Sequence, residues 1–208
     1  MLSLWIICQK VALSAYNCIK SEKYSSVFIR AYIPKNEGMV DSNYTQNIYN
    51  AHEAGLGTEI YAIPNVNGSK NAYKQVDEIY MSIQQDRISL NRMWLKVTSP
   101  IHWPNNQQAN TLFIEEFVRR AAVSIENKYW NALGRGYESK TEANFNDFRP
   151  FASFTFPSLK TFALMTPICG IVADQIVYPM PVNNIRTSDR FLQKSEKILI
   201  GSVKFLPN

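Results

Sequence analysis

Residues 92–98 read Arg-Met-Trp-Leu-Lys-Val-Thr, and in this stretch an apolar frame alternates with Lys96 and Thr98. Alternation of that kind marks a β-strand and sets Lys96 and Thr98 on one face of it. The strand has predecessors. Val27–Ile33 and Glu59–Ile63 are also strand-like, so strands begin near residues 27, 59 and 92. A recurrence of about thirty residues is the length of a βα unit. Several such units in series imply a parallel sheet, closed or wound with helices outside. The expected class is therefore α/β, with a TIM-like β/α barrel as the natural architecture and functional groups at the C-terminal ends of the strands.

Working outward, Leu2–Cys8 is an apolar run read as a first strand, and Leu13–Glu22 is helical. Tyr44–Ala54 carries Tyr44, Ile48 and Ala51 on one helical face, and Tyr73, Val76, Tyr80 and Ile83 form another stripe. Gln108–Ala122 aligns Phe113, Phe117 and Ala121. After Ile125 the rhythm fails. Val123–Ile125 begins like a fifth strand, yet Tyr129–Leu133 already looks like another. Only Glu126, Asn127 and Lys128 lie between them, too few for a crossover helix. The barrel is therefore expected to be irregular or incomplete. Gly134–Phe148 reads as a polar loop, and Thr161–Met165 as the last barrel strand. Residues 1–178 are taken as the barrel domain and 179–208 as a C-terminal tail of unreadable role, solvated by default. Within that tail Ile198–Phe205 could add a strand.

A chain of 208 residues suits one domain with a substantial core. Its net charge of +5 matches an anionic polymer such as a bacterial wall or nucleic acid. The basic residues are scattered rather than striped, which argues against nucleic acid. Cys8, Cys18 and Cys169 show no metal spacing; a Cys18–Cys169 disulfide is possible in an exported protein, leaving Cys8 unpaired. His52 and His102 have no partner at metal-ligand spacing, so neither a metal nor a cofactor is expected. Met1–Cys8 is too short for a signal peptide or a membrane span, and no membrane partner is expected. Two glycosylation sequons occur, Asn43-Tyr44-Thr45 and Asn67-Gly68-Ser69, which matter only in a secretory compartment.

An ordered set of segments resembles the nematode-type lysozymes of glycoside hydrolase family 25. They are Val11–Lys20, Val27–Tyr32, Val40–Gly55, Gln75–Glu78, Met93–Trp103, Tyr129–Leu133, Ala143–Phe151 and Cys169–Tyr178. The resemblance implies an irregular β/α barrel and cleavage of the glycan strands of peptidoglycan. It also implies a secreted or lysosomal setting and a role in innate immunity. The departures from the family pattern are specific. Where the family has an acid at the end of its first strand, this chain has Ile6. In the family's Trp-Leu-Asp-Ile-Glu motif, Lys96 replaces the aspartate and Thr98 the glutamate. The retained family acid is Asp174, in the Cys-Gly…Asp segment. A Cys-Pro-x-Cys loop common in nematode members is replaced around Asn65–Asn67.

Glycoside hydrolysis needs one group to protonate the leaving oxygen and another to stabilise the cationic sugar. Threonine has no usable acidity, lysine brings positive charge where positive charge must form, and Asp174 cannot fill both roles. Asp41, Glu53, Asp77 and Glu78 read as members of solvated faces. The expected function is that of a lysozyme-like pseudoenzyme that binds peptidoglycan or a related glycan. Tyr61, Trp94, Trp103 and Trp130 are its candidate sugar-stacking rings. The alternatives are an active muramidase with a different acid arrangement, and a degenerate relative without function.

Overall fold

The computed structural model describes residues 2–97, 103–122, 130–131, 140–150, 159–178 and 203–205. Four parallel strands form its first half: β1 (Leu2–Ile7), β2 (Ser26–Ile33), β4 (Gly57–Ala62) and β6 (Met93–Leu95). Short β3 (Met39–Val40) folds back antiparallel on β2. Helices α1 (Leu13–Ser21), α2 (Tyr44–Glu53) and α3 (Ala72–Gln85) make the crossovers between the parallel strands, and α4 (Gln107–Ala122) follows β6. The βα rhythm anticipated from strand starts near 27, 59 and 92 is thus present.

The second half departs from it. β8 (Lys160–Ile168) and β9 (Ile171–Tyr178) form an antiparallel hairpin, and β9 lies antiparallel beside β1. β7 (Trp130–Asn131) pairs parallel with β8. The sheet runs β6-β4-β2-β1-β9-β8-β7, and among the described residues its two edges do not meet. The barrel is open. Thr161–Met165 falls within β8, which is followed by β9 rather than being the last strand. The hairpin turns on Cys169 and Gly170, with φ of 51° and 76°. Positive φ at both central residues is the conformation that matches the right-handed twist of flanking strands. The disulfide Cys18–Cys169 ties this turn to α1, and Cys8 is a free thiol.

Alternation along the strands divides the sheet into two apolar faces. On the helix side, Trp5, Ile7, Val27, Ile29, Ile60, Met93 and Leu95 pack with Tyr16, Ile19, Ile48, Ile79, Ile83 and Phe117. On the opposite face, Leu4, Ile6, Phe28, Tyr61, Trp94, Leu159 and Ile176 form a second cluster. The buried face of α3 is Ala72, Gln75, Val76, Ile79 and Ile83. Tyr80 is exposed instead, since Ile79 takes the inward position one residue earlier. The Asn71 side chain accepts from the Lys74 amide and satisfies one of the helix's open N-terminal donors.

Part of the tail belongs to this core. β10 (Lys204–Phe205) pairs with β5 (Ile88–Ser89), the Val203 amide donates to the Thr58 carbonyl, and Val203 is buried. Residues 179–202, the interval Ile125–Tyr129 and His102 lie outside the described residues. In the Gly134–Phe148 stretch, the described part is irregular. It is anchored by the buried Lys160, whose Nζ donates to the Glu142 carbonyl and to Asp147 at 2.9 Å each.

Candidate functional site

The residue after β6 keeps the alternation of that strand, and its amide donates to the Ala62 carbonyl at 2.8 Å, so Lys96 shares a face with Trp94. Across the sheet, Asp174 on β9 stands opposite Ile6 on β1. The two side chains meet: Lys96 Nζ lies 3.0 Å from Asp174 Oδ2, with side chains 6% and 15% exposed. The second carboxylate oxygen is also engaged. Asp174 Oδ1 accepts from the Met165 amide at 3.1 Å, where β8 bulges between Ala163 and Thr166 and Met165 has φ 49°. The Lys96 ammonium further lies 5.7 Å from the centre of the Tyr61 ring, within the range of a cation–π contact.

Behind this pair the face is closed by packing. Ile6 is buried within the cluster of Phe28, Tyr61 and Trp94. Phe28 and Trp94 meet edge to face at 5.5 Å, and Arg92 sits 5.5 Å from the Trp94 ring centre. Trp94 Nε1 donates to Glu59 Oε2 at 2.7 Å, and Glu59 is fully buried. Tyr61 and Trp94, expected to present rings to sugar, are each only 1% exposed. Trp103 is half-buried against the helix-side core. Trp130 contributes its backbone to β7, and Thr98 lies outside the described residues.

The structure therefore brings together Ile6, Tyr61, Trp94, Lys96 and Asp174, and sets Trp103 apart from them. Reading the sequence missed Glu59. Its period-two relation to Tyr61 places it on the same face, and that signal was available. Asp41 corrects another expectation: it is buried and ion-paired to Arg30 Nε at 2.8 Å, while Arg30 also donates to the Cys8 carbonyl. Glu78 is similarly engaged, accepting from the Tyr32 hydroxyl and from Lys70. Burial, with Glu78 beside it, pushes the Tyr32 phenol well above its ordinary range.

Chemically, the described residues bring two carboxylates to this face: Asp174, held by an ammonium and a backbone amide, and the fully buried Glu59, bonded to Trp94. A proton donor for a glycosidic oxygen must be protonated near neutral pH and reach the substrate. Both Asp174 oxygens are instead already bonded within the protein, one to Lys96 and one to the Met165 amide. Among the described residues, no group of three or more His, Cys, Asp or Glu is placed to hold a metal ion.

Comparison with known proteins places these features in context. The family model described as lysozyme-like protein 1 matches residues 7–128 and 124–162. Lysozyme-like protein 7 of Caenorhabditis elegans is 38% identical over 195 residues, covering 81% of this chain and 69% of that protein. A probable GH family 25 lysozyme of Dictyostelium discoideum is 26% identical over 80% of this chain and 86% of its own. In fold, the chain is similar to the bacterial lysozyme of Streptomyces coelicolor, with a TM-score of 0.60 over 85% of this chain and 91% of that one, at 13% identity. A GH25 lysozyme of Aspergillus fumigatus gives the same TM-score over 86% and 95%.

Proposed function

Because this chain belongs to the lysozyme-like family, related to the glycoside hydrolase family 25 lysozymes, we propose that it holds wall glycan without cleaving it. The observation that carries this reading is the Lys96–Asp174 ion pair at 3.0 Å. Resemblance puts Lys96 where family members have an aspartate, Thr98 where they have a glutamate, and Ile6 where they have a further acid. A hydrolase must let positive charge grow at the anomeric carbon. The paired ammonium supplies no negative charge to stabilise it, and the lost general acid alone removes a factor of about 10²–10⁴.

Glycan binding is supported by family membership and by relatives described as lysozymes. The proposed ligand is peptidoglycan or a related glycan, and a role in defence against wall-bearing microbes follows from such binding. Trp130 is proposed as a stacking ring, with Tyr61 and Trp94 supporting the floor beneath Lys96. Asp174 is a positioning residue in this reading, since it acts through Lys96 and the β8 bulge.

The test compares hydrolysis and sedimentation with insoluble peptidoglycan for the parent and for Lys96→Asp/Thr98→Glu, without and with Ile6→Asp. The expected result is a parent that binds and does not hydrolyse, with turnover gained in the acid-restored proteins. Hydrolysis by the parent, or a folded parent that fails to sediment with the wall, overturns the reading.

A further inference from the structure

Both N-glycosylation sequons fall in well-described parts of the fold, and their surroundings differ sharply. Asn43 sits half-buried at the N-cap position of α2, and its Nδ2 donates to Asp41 Oδ1 at 3.2 Å. Asp41 is itself the buried partner of Arg30, and it also accepts from the Asn43 amide at 3.0 Å. A glycan on Asn43 Nδ2 would push into this cluster, which fixes the entry into α2. Asn67 sits in the loop joining β4 to α3 and is exposed, as is Ser69. The loop is held from beneath. Gln75 Nε2 donates to the carbonyls of Asn65 and Lys70, Gln75 Oε1 accepts from the Asn65 amide, and Asn65 Nδ2 donates to the Asn36 carbonyl. Glu37 accepts from the Ser69 amide, and that bond holds its carboxyl below the usual range. This framework occupies the place where the Cys-Pro-x-Cys loop of nematode relatives is replaced. It makes the loop rigid at its base while its tip faces solvent.

A second observation bears on the compartment. Cys18 and Cys169 form a disulfide across a separation of 151 residues. Stable structural disulfides form in oxidising environments such as the secretory lumen, where N-linked glycans are also added.

We propose that Asn67 is an N-glycosylation site in the folded protein and that Asn43 is not. The reaction passes an oligosaccharide from a lipid-linked pyrophosphate donor to the Asn67 amide. The bond between the sugar C1 and the pyrophosphate oxygen breaks, the C1–Nδ2 bond forms, Nδ2 loses one proton, and the lipid pyrophosphate departs. Transfer acts on unfolded chain, so both sequons are open to it chemically. The native packing makes the selection, because a glycan on Asn43 Nδ2 would crowd the half-buried contact of that atom with Asp41. The loop lies beyond the C-terminal end of β4, the same end of the sheet as Lys96.

The test directs the full chain into the secretory pathway of a eukaryotic host and recovers folded protein from the lumen and the medium. Enzymatic deglycosylation in ¹⁸O-water followed by peptide mass spectrometry converts each occupied Asn to labelled Asp. The expected result is labelled Asp at 67 and unmodified Asn at 43. Ser69→Ala is expected to abolish the label while leaving Asn67 in place and the protein cooperatively folded. An unlabelled Asn67 in folded protein, a labelled residue 43 in folded protein, or label persisting in Ser69→Ala each overturns the assignment.

Discussion

Replacing Lys96 by methionine should destabilise the protein, and replacing Asp174 as well should recover much of the loss. At 3.0 Å, the gross attraction between the two charges is about 5.5 kcal/mol at an effective dielectric near 20. Desolvation of both groups offsets most of that, so the pair as a whole is worth little against apolar residues of similar volume. Breaking it one-sidedly is different. Lys96→Met removes the cation from beside Asp174 at a position only 15% exposed, and Asp174→Asn removes the anion from beside an ammonium that is 6% exposed. Each single change is expected to cost about 3 kcal/mol. Asparagine can still accept from the Met165 amide through its carbonyl oxygen, so the β8 bulge survives in the second variant. The double variant should therefore cost about 1 kcal/mol rather than about 6, a coupling of about 5 kcal/mol. Urea unfolding of the four proteins at neutral pH, followed by tryptophan fluorescence, gives all the terms. Additive losses, with a coupling under about 0.5 kcal/mol, would show that the two side chains do not share an energetic fate.

Cys18→Ala opens a loop closed over 151 residues; chain entropy puts the loss near 5 kcal/mol, and a denaturant midpoint equal to the parent's would refute that account. Burial, aided by the Asp86 carboxylate that its hydroxyl bonds to, raises the Tyr44 phenol from 10.0 to about 12. Its contribution to stability is fully present below pH 10 and is lost as pH climbs toward 12, so the decline across that window should be shallower in Tyr44→Phe. Val203→Asp places a carboxylate in the core position beside Thr58 and should cost about 3 kcal/mol or more. A melt unchanged from the parent's would mean that the tail is not part of the cooperative unit.

The parallel half of the fold was legible because each strand there ends in a helix whose apolar stripe has its own period, as in Val76 and Ile83 on α3. The hairpin was not. Its turn is Cys169-Gly170 rather than the Asn-Gly pair that announces such turns, and the disulfide that holds it has its other half on α1. Lys96 could be placed on the site face from local alternation alone. Its partner could not, because Asp174 lies 78 residues away and arrives on a strand of opposite direction. Burial of Tyr61 and Trp94 was hidden for a related reason. Strands covered on both faces read as uniformly apolar, so an aromatic aimed at solvent and one aimed at a second core look alike.

β1, the first strand in the chain, lies in the middle of the sheet between β2 and β9. During synthesis, β1 can pair with β2 as soon as residue 33 is free of the ribosome, yet its other edge has no neighbour until Tyr178 has been made. For that interval the nascent sheet carries an open, strongly apolar edge, the kind of template that recruits foreign strands. Completion of the sheet must wait for the β8–β9 hairpin, and non-local pairing of this kind is slow. The Cys18–Cys169 bond joins α1 to the turn of that hairpin, so its appearance would report that the two have met.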